Sequence, residues 1–133
     1  MKKYILLFLV LILYAGCEKQ PSTGDDDVPE QLSLPGKTYA AIFSSYNGKD
    51  LYWVARFIDS KTVEWSGRSG SPVGTFIGTP DIYPYTFTYP SLVITRPSDG
   101  AKFRGQFISF DIIRITITDI YGDDNLYEFV IQK

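Results

Sequence analysis

From Gly36 onward the chain breaks into short runs rich in Tyr, Phe, Ile, Val and Thr, each bounded by turn residues, and no stretch carries the 3.6-residue period of an amphipathic helix. That rhythm constrains the fold more than any other feature. Eight strands are expected, over 37–45, 51–58, 62–66, 82–89, 92–96, 102–110, 112–118 and 126–132. The connectors NGKD, DSK, PSDG and YGDD suit tight hairpin turns, so neighbours in sequence should be neighbours in the sheet. Alternation assigns the faces: Ile113, Ile115 and Ile117 oppose Arg114, Thr116 and Thr118, and Tyr127, Phe129 and Ile131 alternate with Glu128 and Gln132. A sheet with one dry and one wet face loses its exposed edges by closing on itself. The expected fold is therefore all-β, an eight-stranded antiparallel up-and-down barrel in which the first strand pairs with the last. A β-sandwich is the alternative, and only strand pairing separates the two.

The other end of the chain reads as an address. Met-Lys-Lys carries the only charges before Glu18, and residues 4–14 form an unbroken apolar run of eleven, closed by Ala15-Gly16. Eleven residues span about half of the ~30 Å hydrocarbon core as a helix, so residues 1–16 are expected to be a signal peptide rather than a permanent anchor. The stretch LYAGC resembles the lipobox of bacterial lipoproteins. That resemblance implies that Cys17, the only cysteine, is acylated and becomes the first residue of the mature chain, held to its membrane by more than one acyl chain.

Residues 17–36 contain Pro, Ser, Gly and acid with little to bury, and read as a lipidated N-terminus and disordered tether with a span of roughly 25 Å. The run Asp25-Asp26-Asp27 reads as a solvated spacer; it is also similar to the acidic export signals of some surface lipoproteins. Loss of Lys2 and Lys3 leaves 11 basic against 15 acidic side chains, with the cations scattered, so no nucleic-acid partner is expected.

Residues 37–133 are left as the barrel domain. The order LPGKTY, ARFIDSKTVEWSG, YPYTFTYPSLVIT, IRITITD and YEFVIQK is similar to the short lipocalin-like lipoproteins of Gram-negative bacteria, over residues 34–133. The resemblance implies a small calyx in a domain of the cell envelope, anchored at the outer membrane and facing the periplasm or the cell surface. It transfers little function, because members of that family often have no known ligand.

An eight-stranded barrel is filled by side chains or holds one small ligand. With 18 aromatic residues after residue 16, most of the lumen is expected to be packed, with at best a shallow pocket at the mouth. Candidate lining residues are Trp53 and Trp65, together with the aromatic face Tyr83, Tyr85, Phe87 and Tyr89. Four aromatics at period two read first as an inward strand face, and otherwise as a platform on which sugar rings or apolar ligands stack. Pro84, on the opposite face, hints at a bulge or an open edge. Residues 67–80 read as the longest break between strands, either a plain connector or a lid with Phe76 and Ile77 as its apolar tip.

Nothing in the sequence points to a cofactor, and the glycines of residues 67–80 lack the Gly-Lys-Ser/Thr ending of a phosphate loop. Asp119, Asp123 and Asp124 match no calcium-loop spacing, so no metal is expected. The chain has no histidine, and alternation turns Glu64 and Glu128 outward, so no enzyme is expected. The reading is an anchored binding or interaction module for a small apolar or carbohydrate ligand or an envelope protein; the alternative is an accessory subunit with a sealed barrel. A Cys17→Ser variant should lose its lipid and move to the soluble fraction, as read by fractionation and intact mass; a soluble, unmodified wild type would contradict the anchor.

Overall fold

In the computed structural model, which describes residues 32–133, the β-rich runs become eight strands: β1 (Thr38–Tyr46), β2 (Lys49–Phe57), β3 (Thr62–Ser69), β4 (Thr75–Thr88), β5 (Ser91–Thr95), β6 (Lys102–Ser109), β7 (Ile112–Thr118) and β8 (Asp124–Ile131). Each pairs antiparallel with the next, and β8 returns to β1, so the sheet is a closed up-and-down barrel. Closure on β1 rules out the sandwich. Residues 1–16, Cys17 and most of the tether lie outside the described residues.

The hairpins follow from local chemistry. Asn47 and Gly48, at φ of 51° and 72°, supply the two positive φ values that a two-residue turn with the twist of its strands requires. Asp59 accepts the amides of Lys61 and Thr62 at 2.8 Å each in the next turn. Asp119 does the same for Tyr121 and Asp123, at 2.8 and 2.9 Å. Of the acidic cluster at residues 119–124, Asp119 thus serves the turn, and Asp124 accepts the Thr118 hydroxyl at 2.6 Å.

One stretch differs from expectation. Residues 67–80 are not a break: β3 continues to Ser69, and β4 starts at Thr75, leaving a connector of only five residues, 70–74. Gly74 is what permits that tight return, since a Cβ there would sit 2.0 Å from the carbonyl oxygen of Ser69. Arg68 pairs with Phe76 across the hairpin, its guanidinium carbon 3.3 Å from the ring centroid. The irregularity lies instead within β4, where Gly78, Thr79 and Pro80 face only Ser66 between the pairs Gly67↔Ile77 and Trp65↔Asp81. Pro84, by contrast, sits inside the β3–β4 ladder opposite Thr62, just before the pairing of β4 with β5 begins at Tyr85.

Period-two alternation packs one half of the lumen solid. Tyr39 meets Phe57 and Phe107 edge-on at 6.0 and 5.9 Å, and Phe57 meets Tyr85 at 4.9 Å. Ile113, Ile115 and Phe129 are fully buried beside them. Where β6 passes β5 and β7 the fit is tight at Gly105: a Cβ there would lie 3.1 to 3.3 Å from Leu92 and Ile113, so a side chain would have to push them back by a few tenths of an ångström. Leu34, 1% exposed, stops this end of the barrel, and the chain enters β1 through Gly36, at φ +82°, whose amide donates to the Phe57 carbonyl at 2.8 Å.

The closing seam is short. Only Tyr39↔Ile131 and Ala40↔Val130 are paired between β1 and β8. The same register would set Ile42 opposite Glu128, but the ladder ends before that point. The barrel is thus closed and plugged at the β1 start and splayed along the seam toward the β1 end.

Tyr39 ties the plugged end together, its hydroxyl donating to the Phe110 carbonyl at 2.8 Å. Burial, with the Asp111 carboxylate nearby, pushes the phenol up to about 12. A raised acid pKa means that the folded state favours the neutral phenol. Its contribution is full below pH 10, where the unfolded phenol is also neutral, and is lost as pH rises through 10 toward about 12. Tyr39→Phe should therefore be less stable by about 1 kcal/mol near pH 8. The gap should close and then reverse between pH 10 and 12 in urea unfolding, because that pKa difference is worth on the order of 2 to 3 kcal/mol. A gap constant to pH 12 would contradict this role for Tyr39.

Candidate functional site

A recess of about 200 Å³ lies at the splayed end. Inward positions near the ends of six strands build it: Trp53 of β2, Trp65 and Gly67 of β3, Ile77, Thr79, Asp81 and Tyr83 of β4, Arg96 just past β5, Phe103 of β6 and Ile117 of β7. No residue of β1 or β8 lines it, and these are the two strands whose pairing stops short.

Two local features leave the space open. Gly67 stands opposite Trp53 and beside Ile77, and a Cβ there would lie 3.3 Å from the Ile77 Cβ and 3.6 Å from the Trp53 ring, so any side chain would enter the recess. The β4 bulge adds two residues relative to β3. An even insertion preserves the side-chain phase, so Ile77, Thr79, Asp81, Tyr83, Tyr85 and Phe87 form one continuous inward series across it. Ser66, facing the bulge, keeps a buried hydroxyl with no hydrogen-bond partner among the described residues.

The floor is aromatic. Trp65 lies 5.1 Å from Phe103 and 5.4 Å from Phe129, and is near-parallel to Tyr83 at 6.5 Å and 19°. Trp53 forms a wall. Phe43, the extra residue at the β1 bulge, stacks against one face of its indole at 4.2 Å and 19°, which fixes the ring.

The polar groups gather on the β4–β5 side. Tyr83 donates its hydroxyl to Asp81 Oδ2 at 3.3 Å, and burial, reinforced by Asp81, raises its pKa. Arg96 donates from Nε and Nη2 to the two oxygens of Asp99 at 2.9 and 2.5 Å, which holds the Asp99 carboxyl at about 2. The guanidinium carbon of Arg96 lies 5.6 Å from the Phe103 centroid. No cation is paired with Asp81 among the described residues. Nor do those residues contain a group of three or more His, Cys, Asp or Glu side chains placed to hold a metal.

The sequence-derived candidates divide. Trp53, Trp65, Ile77 and Tyr83 come together around the recess. Tyr85 and Phe87 belong to the packed lumen, Tyr85 donating to the Asp59 carbonyl at 2.6 Å and Phe87 lying 5.3 Å from Phe107. Tyr89 lies beyond β4, half-exposed, against Phe107 and Phe110. Phe76 points to the outer face beneath Arg68, so Phe76 and Ile77 are opposite faces of one strand rather than the tip of a lid.

Asp81, Thr79 and Arg96 went unrecognised among the sequence candidates. Asp81 and Thr79 continue the Tyr83–Tyr85–Phe87 alternation backwards, a signal masked by reading the glycines as loop. Arg96 continues Leu92 and Ile94 in the same phase, but it sits beside a turn motif. No protein-family model, curated protein or solved structure matches the chain.

Proposed function

We propose that this chain is a cell-envelope lipoprotein, anchored at the outer membrane through acylated Cys17, whose barrel binds a small molecule in the recess at its splayed end. The N-terminal half of the reading rests on the charged start, the apolar run 4–14 and the LYAGC stretch. The binding half rests on one observation. A barrel with enough aromatic side chains to fill its lumen packs one half solid and leaves about 200 Å³ at the other, bordered by Asp81, which has no cationic partner among the described residues. A sealed accessory subunit gains nothing from that space, since voids in a packed core are destabilising by their volume.

The recess is smaller than the ~300–1,000 Å³ typical of sites for drug-sized ligands, so the ligand is small. Gly67 provides the test, because a larger side chain there fills the recess from the wall without altering the packed half. Titration of the full chain in detergent with small solutes should give a saturable change in tryptophan emission. Gly67→Leu should abolish it while the far-UV spectrum and cooperative melt persist. Equal binding by Gly67→Leu, or no saturable signal from wild type with any solute, would contradict the proposal.

A further inference from the structure

We infer that the ligand of this recess is a single neutral sugar ring, of pyranose size, stacked on tryptophan and hydrogen-bonded along the β4–β5 side; this rests on the binding reading above. The recess is two-natured. One side is flat and aromatic: the indole of Trp53, backed by Phe43 so that it cannot swing away, and the Trp65–Tyr83 pair, parallel to within 19°. The other side carries Thr79, Asp81, the Tyr83 hydroxyl and Arg96. A sugar ring has the matching division, with a C–H face that lies on an aromatic ring and a girdle of hydroxyls that each donate and accept.

Charge excludes the competing classes. An organic cation suits aromatic walls and Asp81, but it would meet the Arg96 guanidinium. An anion would meet the Asp81 carboxylate. The charge of Arg96 is moreover already paired with Asp99 through Nε and Nη2, so a carboxylate entering the recess would meet two carboxylates, Asp81 and Asp99, around one cation. An apolar ligand would strip water from Asp81, Thr79 and Arg96 and return no hydrogen bonds. What remains on offer is a set of directional bonds of both polarities: the Asp81 carboxylate as acceptor, its Oδ2 already accepting from Tyr83, Thr79 as donor or acceptor, and the N–H groups of Arg96 that do not face Asp99 as donors. Hydroxyl groups satisfy such a set. At about 200 Å³ there is room for one ring, not for a lipid tail.

The experiment titrates the full chain in detergent with glucose, galactose, mannose and N-acetylglucosamine, and in parallel with tetramethylammonium, acetate and the neutral apolar probe 1-naphthol. The readouts are tryptophan emission and the indole N–H resonances of Trp53 and Trp65. At least one sugar should saturate and shift both indole signals. Asp81→Asn should weaken that sugar about tenfold or more, because a hydrogen bond to a charged acceptor is lost. Trp53→Leu should weaken it comparably, and Arg104→Gln on the outer face should leave it unchanged. Asp81→Asn retains the shape of the side chain, so the test stands even if Trp53→Leu fails to fold. Saturation by tetramethylammonium, acetate or 1-naphthol but by no sugar would overturn the sugar assignment and leave the pocket standing. Saturation by none of the seven would overturn both. Sugar binding indifferent to Asp81→Asn would overturn the assignment of the polar side.

Discussion

The structure depends on the closure of eight strands into one ring. Closure fixes the width of the lumen, and every inward position must then be reconciled with that width, by filling it, by shrinking to glycine or by leaving space. The plugged half shows filling at its limit. Tyr39, Phe57, Tyr85 and Phe107 interlock edge-to-face, and Gly105 is the concession that lets Leu92 and Ile113 meet across β6. The splayed half shows the opposite choice. Gly67 faces Trp53 where a side chain would complete the core, and β1 parts from β8 after Ala40.

The recess lies at the end of the barrel where the β1–β8 ladder is incomplete. A fully zipped seam would carry the β1–β8 ladder on from Ala40 to the β1 end. The ladder instead stops at Ala40, and the β4 bulge lengthens one wall of the recess by two residues without rotating its side chains out of phase. Trp65 is the hinge between the two regimes: it contacts Phe129 on the packed side and Trp53, Tyr83 and Phe103 around the recess. Binding chemistry at the mouth is thus held by the same rings that hold the core.

Much of the fold was legible because a half-buried strand writes its face into the sequence at period two. Ile113, Ile115 and Phe129 could be assigned inward from alternation alone, and NG at 47–48 marked its turn because Asn and Gly adopt positive φ more readily than other residues do. The hairpin of β3 and β4 was not legible, because Gly74, Gly78 and Pro80 are the residues of loops as much as of a tight return and a bulge. That misreading hid the site. Read as a loop, 67–80 puts Ile77 and Phe76 on one tip and gives Thr79 and Asp81 no face. Once an even bulge is recognised, the series from Ile77 to Phe87 is continuous, and the polar side of the recess follows. The seam length carries no sequence signal, since pairing between the first and last strands is a property of the closed ring.

Amide hydrogen exchange in the native state tests the division of the barrel most directly. Amides that close the plugged end, those of Phe57, Ile131 and Gln132, which donate to Lys37, Asp111 and Thr38, should exchange only through global unfolding. The alternate amides of β1 beyond Ala40 that face away from β2, and those of β8 before Val130 that face away from β7, should exchange orders of magnitude faster, as free edges do. Equal protection along the whole length of both strands would mean that the seam is zipped throughout, and would contradict an open, recess-bearing end.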